Sequence, residues 1–422
     1  MPRAFRTLLV PVLLVLILAT FLGAAHSRRL VIPVPVTDGD QESYLRYARR
    51  MKERNYDYVG GRNRMPIYPF LLSLLYRPEM SEDEFLKRAQ SFNVNLSAAV
   101  LLGLFFVYRR YLPALFSVAL VAGTAFGAFL TRAVRAQVEV LFYFAFFLLF
   151  LALCHLLVRP RVALGLLAGA LAGVTFLLKA SVLPVLAIFS SIFAVRTVWQ
   201  RGSGRWLGEV ASLAGVIVLF LAVVFPYIST SKRVYGQYFY NVNSTFYFWT
   251  DSWPEARAFS KRSGDLDHWP AVPPEEIPSP GKYWREHSLG QIASRLFGGM
   301  AELATHNARL DGYYKYVVLL LGGALFVAWR ERERFLPWLK QRAFPAAFAA
   351  VFFAVFYSLF AWYAPLSADS RFVLTLFLPV TFTAAYVIMR FEPPSRPLVP
   401  IFSGILFFFA FSDAVHRILQ LR

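Results

Sequence analysis

The chain has 422 residues, of which 57% are hydrophobic and only 16% charged; a soluble domain carries about 25% charged residues, so water is not its main solvent. Aromatic residues make up 17%, with 42 Phe, a composition suited to lipid-facing and interfacial surface. A net charge of +19 would suggest nucleic acid in a soluble chain, but here the basic residues are spread over short connections between apolar runs, which makes membrane lipid the expected partner and excludes nucleic acid.

Several apolar runs approach the ~20 residues needed to cross ~30 Å of hydrocarbon. Spans are predicted at 7–25, 93–108, 112–130, 137–157, 162–178, 182–198, 207–228, 313–329, 344–364, 372–389 and 398–413, about eleven in all. The expected fold class is an all-α polytopic transmembrane bundle. Arg3 and Arg6, followed by Leu8 to Leu22 and Gly23-Ala24-Ala25, share the outline of a secretory signal peptide, but the apolar stretch is long for one and a retained first span is expected. Cys154, the one cysteine, lies in an apolar run, excludes an intrachain disulfide and reads as a small buried hydrophobe.

Sixteen Lys and Arg fall on one set of alternate connections, from Arg3 and Arg6 through Arg109, Arg159, Arg201, Arg205 and Arg342 to Arg390 and Arg396. That set is expected to be cytoplasmic, together with the N-terminus. Two long segments, 26–92 and 229–312, then face outward. The chain divides into an N-terminal transmembrane module over 1–228 that includes the first outer loop, a second outer loop over 229–312, and a C-terminal transmembrane module over 313–422.

In the first outer loop, Tyr44, Leu45, Tyr47, Ala48 and Met51 recur at helical spacing between Asp40 and Arg54, as in an amphipathic helix lying at the interface. Pro66 and Pro69 bound a second short element, and Ser81 with Glu84 three residues on predicts a capped third helix over 81–91. The second outer loop opens on an aromatic stretch containing the triplet Asn243-Ser244-Thr245, which fits a glycosylation sequon, and continues into a predicted helix from Tyr283 to about Leu310.

Three short outer turns break the charge rule, because they carry Arg132 and Arg135, Lys179, and Arg371. An anionic ligand at the outer boundary would compensate them, and phosphate is the natural candidate. Taken singly, each could equally be an end anchor reaching the headgroups. Three acids lie at the same depth. Asp38 and Asp40, in TDGDQESY, could serve as a general base or as a helix N-cap. Glu139, at the outer end of the fourth span, needs a partner; Arg132 and Arg135 are the expected ones, and a plain salt bridge weighs equally with a role in chemistry. The pair Asp38 and Asp40 resembles a weak metal site, but no further ligand completes it, and the six His are scattered without ligand spacing.

These residues resemble the GT-C superfamily of membrane glycosyltransferases, in particular the protein O-mannosyltransferase and aminoarabinose transferase branch. Asp40 stands four residues before Tyr44 at the opening of an outer-loop helix; RMPIYPFLLSLLY, Arg64 to Tyr76, is similar to the branch's Arg-x-Pro-x-Tyr-Pro element, with Tyr68 as its tyrosine. Glu139, LLKAS around Lys179, SKRVYGQYF and SRFVLTLFLPV are similar to further elements. The resemblance implies a GT-C fold, a polyprenyl-phosphate-linked sugar donor and a glycan, lipid or protein acceptor. It implies Asp40 or Asp38 as the base with Glu139 beside it, Arg64, Arg132, Arg135, Lys179 and Arg371 on the donor phosphate, and Tyr44 and Tyr68 as further binding residues. It implies no cofactor, although a divalent cation would be compatible. Gln41 departs from the branch, which usually has an acid there. A lipid-linked glycan flippase or transporter is the rival reading, against which stand the lack of duplicated halves and of charge at mid-membrane depth.

Overall fold

In hydrocarbon a backbone must satisfy its own N–H and C=O groups, and the apolar runs accordingly close into helices. The computed structural model describes residues 3–57, 60–199, 206–310, 312–393 and 397–420, with the backbone alone at 3–7 and 306–310. The predicted cytoplasmic cations Arg201, Arg205 and Arg396 lie outside the described residues, as do the side chains of Arg3, Arg6 and His306.

The described residues contain no strand. The first half holds α1 (Arg3–Val31), α2 (Gln41–Glu53), α3 (Ile67–Ser73), α4 (Glu82–Arg109), α5 (Ala114–Thr124), α6 (Leu130–Ala133), α7 (Glu139–Val158), α8 (Val162–Leu178), α9 (Leu183–Trp199) and α10 (Trp206–Tyr235). The second outer segment carries α11 (Val242–Thr245), α12 (Trp253–Arg262), α13 (Pro280–Glu286) and α14 (Leu289–Leu310). The chain then forms α15 (Tyr314–Arg330), α16 (Arg332–Gln341), α17 (Ala343–Tyr363), α18 (Ser370–Val373), α19 (Phe377–Arg390) and α20 (Leu398–Leu419).

Among the described residues nine segments are long and apolar enough to cross a membrane, so the protein is an integral, multi-pass helical bundle. The predicted eleven spans become these nine and two shorter helices, each of 17 residues: α8, which carries no charged residue, and α15, which carries Lys315 and Arg330 near its ends. Two predicted boundaries also shift. Ser81 and Glu84 form the expected capping box, but the helix they start is continuous with the next span, giving 28 residues in α4. The predicted helix from Tyr283 is two helices, broken at His287, whose extended backbone ends α13.

Small residues let helices meet backbone to backbone. Gly165 and Gly169 of α8 face the carbonyls of Ser212 and Val216 on α10 so closely that a Cβ at either glycine would overlap them. The same holds for Gly299 of α14 against Ala361 of α17. Phe348, Phe352 and Phe356, one turn apart on α17, interleave with Phe146 and Phe150 of α7. A π-helical turn (Ala125–Phe129) follows α5, and Gly123 and Gly127 beside it leave room for the ring of Tyr316 from α15. The Tyr316 hydroxyl donates to Asp413 of α20 at 2.7 Å, and Lys315 pairs with the same carboxylate at 2.5 Å.

Candidate functional site

Helix ends bring the charged residues together. Asp38 and Asp40 follow α1 and precede α2, Arg132 lies in α6, Glu139 opens α7, Lys179 ends α8, and Arg371 lies in α18. Ion pairs link Asp40, Arg132, Glu139, Lys179 and Arg371 directly or through Asp369, while Asp38 pairs separately with Arg135.

Asp40 stands at the N-cap position of α2, yet its side chain caps nothing. Its carboxylate is instead turned to two guanidinium groups, Arg64 on Oδ1 and Arg371 on Oδ2, the latter at 2.7 Å. Asp38 points elsewhere and accepts from Arg135 at 3.0 Å. The two aspartates therefore do not converge as a metal pair, and among the described residues no group of three or more His, Cys, Asp or Glu comes together.

Glu139 is 2% exposed, and its partners differ from the expected ones. Its Oε1 lies 3.8 Å from Lys179 and 3.9 Å from Arg371, while Arg132 and Arg135 are engaged by other acids. The reason is local: α7 begins at Glu139 itself, so residues 134–138 are not helical and Arg135 is not one helical turn away. Both contacts of Oε1 are longer than a hydrogen bond, and Oε2 is buried without a hydrogen-bond partner.

Asp369 was not singled out in the sequence. Its Oδ1 caps α18 by accepting the Arg371 N–H at 2.9 Å and also accepts from Arg132 at 3.0 Å, while its Oδ2 lies 3.3 Å from Arg371 Nε. Arg132 also donates to Ser370 Oγ at 2.5 Å, and the Tyr143 hydroxyl donates to the Arg371 carbonyl at 2.6 Å. The signal was present in SADSRF: an Asp two residues before a cation that opens a helix is a capping pattern.

Gln41 holds the loop in place. Fully buried, it donates to the Pro35 carbonyl at 2.9 Å and accepts from the Ala136 N–H at 2.8 Å and from Gln90 at 3.2 Å. It thus ties the Asp38–Asp40 turn to the turn before Glu139. Gly39, at φ +69°, has the left-handed conformation that suits glycine, and a Cβ there would stand 2.5 Å from Gln137 Nε2. Tyr44 and Tyr68 are buried behind the charges, edge to face at 5.2 Å, with Arg64 over the Tyr44 ring at 5.6 Å. In this arrangement they support Arg64 and do not line open space. Asn243, in the sequon triplet, is half-buried and its amide nitrogen donates to Asn63 Oδ1 at 3.0 Å.

The assembled site holds Arg64, Arg132, Arg135, Lys179 and Arg371 against Asp38, Asp40, Glu139 and Asp369. Burial raises the pKa of Asp40, but Arg64, then Arg371 and Lys179, outweigh it and hold the carboxyl below its ordinary value. Burial likewise raises Asp369, and Arg132 and Arg371 outweigh it in the same way. A carboxyl whose pKa is depressed by folding contributes stability that is complete above its unfolded pKa of about 3.9 and is lost as pH falls through the lower folded value. Asp369→Asn is therefore expected to lower the thermal midpoint by a constant amount above about pH 5, with the gap closing as the pH falls below about 4. Melting curves of both proteins in detergent between pH 3 and 7 check this, and a gap undiminished in acid would refute it.

Compared with known proteins, the chain matches no family model, no curated protein and no solved structure.

Proposed function

We propose that the chain is a GT-C-type membrane glycosyltransferase that moves a sugar from a polyprenyl-phosphate carrier to an acceptor at the membrane face bearing Asp40. The observation that carries this reading is the sharing of Asp40 between Arg64 of the same outer loop and Arg371 at the start of a membrane-spanning segment, with Lys179 linked through Glu139. A polyprenyl-phosphate sugar has its tail in the bilayer and its phosphate at that boundary, where these cations stand. The distribution of basic connections on the opposite side supports an outward orientation of this face, toward the periplasm, the cell exterior or a lumen.

In the proposed step, an acceptor hydroxyl or amine gives its proton to the Asp40 carboxylate as its oxygen or nitrogen bonds to the anomeric carbon of the sugar. The bond from that carbon to the phosphate oxygen breaks, and the electron pair leaves on the polyprenyl phosphate. Arg64, Arg371 and Lys179 stabilise the growing negative charge. Donor and base compete for the same guanidinium groups. A phosphate that draws Arg371 or Arg64 toward itself leaves Asp40 more basic, so carrier binding would itself activate the base.

The test is native mass spectrometry of the purified protein together with a transfer assay using polyprenyl-phosphate sugars. Retained polyprenyl phosphate with sugar transfer to an added acceptor is expected. Retention with movement of the lipid between leaflets and no transfer would favour the flippase, and no retention of any polyprenyl phosphate would sink both readings.

A further inference from the structure

The opposite face of the bundle carries a separate cavity of about 210 Å³, lined by Leu157 and Val158 at the end of α7, Arg196 near the end of α9, and Gln341, Arg342, Phe344 and Pro345 where α16 meets α17. Its lining is divided. Leu157, Val158, Phe344 and Pro345 are apolar, and α9, which supplies Arg196, also carries Val195 and Val198, each 57% exposed, and Trp199, 81% exposed. The rest of the lining presents two guanidinium groups and an amide.

Arg196 is 6% exposed, and its Nη1 lies 2.7 Å from Glu209 Oε1 without an aligned hydrogen bond. Glu209 neutralises Arg196 but does not face Arg342, which has no ion pair among the described residues and rests over the Trp338 ring at 5.6 Å. One positive charge in the lining of a partly apolar cavity is therefore without an ion-pair partner among the described residues. Ligand and setting then match: an anionic headgroup on the cations and an acyl chain along the exposed flank of α9.

We infer that this cavity seats the phosphate of an anionic phospholipid from the leaflet on that face, with Arg342 as its main contact. The site is independent of the transferase reading, since it shares no residue with the Asp40 cluster.

Lipid titration of the full chain in detergent, read by native mass spectrometry, tests it with phosphatidylglycerol against phosphatidylcholine of the same acyl chains. Wild type should prefer phosphatidylglycerol, and Arg342→Gln should weaken that binding about fivefold. Arg390→Gln removes an exposed cation from the same face without touching the cavity, and it should leave binding within about twofold of wild type. Inorganic phosphate at the same concentration should not displace the lipid. Equal binding of the two lipids, no effect of Arg342→Gln, an equal loss in Arg390→Gln, or displacement by free phosphate would each overturn the assignment.

Discussion

Asp40→Asn is expected to lower sugar transfer by about 10²- to 10⁴-fold, the usual contribution of a general base, while leaving polyprenyl phosphate bound. The substitution keeps the shape of the side chain and removes the proton acceptor. It also removes the charge that Arg64 and Arg371 now share, so both guanidinium groups become more available to a phosphate, although Arg371 keeps Glu139 and Asp369 beside it. Carrier affinity should therefore hold or rise as turnover collapses. Measuring the two separately on one preparation decides the matter: a variant that loses binding and turnover together makes Asp40 part of the architecture, and one that keeps turnover removes it from the mechanism.

The second large effect is expected at Gly169. A Cβ placed there would overlap the Val216 carbonyl oxygen, and backbone atoms cannot move aside as a flexible side chain can. Gly169→Leu must push α8 away from α10 along a seam that also includes Gly165, and overpacking of this kind costs about 1–3 kcal/mol or more. Because Lys179 terminates α8, its ion pair with Glu139 should loosen as well. A lowered thermal midpoint in detergent, with Gly208→Ala as an open-space control that melts at or slightly above the wild type, is the expected result. A Gly169→Leu protein that melts with the wild type would mean that the two helices are not held at that separation.

Much of the site was legible because topology is a strong constraint. Alternating spans and the distribution of Arg and Lys place Asp38, Asp40, Glu139, Lys179 and Arg371 at one depth, and the structure brings the last four into one network while Asp38 pairs apart from it with Arg135. What could not be read was who faces whom. Pairing Glu139 with Arg135 assumed a helix through residues 134–138, and the chain turns there instead. Asp369 escaped notice because its value lies in contacts to Arg132, more than two hundred positions away in sequence, and Gln41 because a neutral side chain gives no charge signal. The fold class followed from apolar runs, yet the interleaved glycines of LGLLAGALAG passed unremarked as ordinary membrane composition, although a small residue at every fourth position is the sequence mark of close helix contact.

The widened turn at Ala125–Phe129 fixes the aim of the residues that follow it. A π turn holds one residue more than an α turn, and each residue advances a helix by about 100°. Shortening this span by a single residue there would leave its length almost unaltered but swing Arg132 about a quarter of the way round the helix axis, away from Asp369 and Ser370. Phase, more than reach, is what that surplus residue supplies.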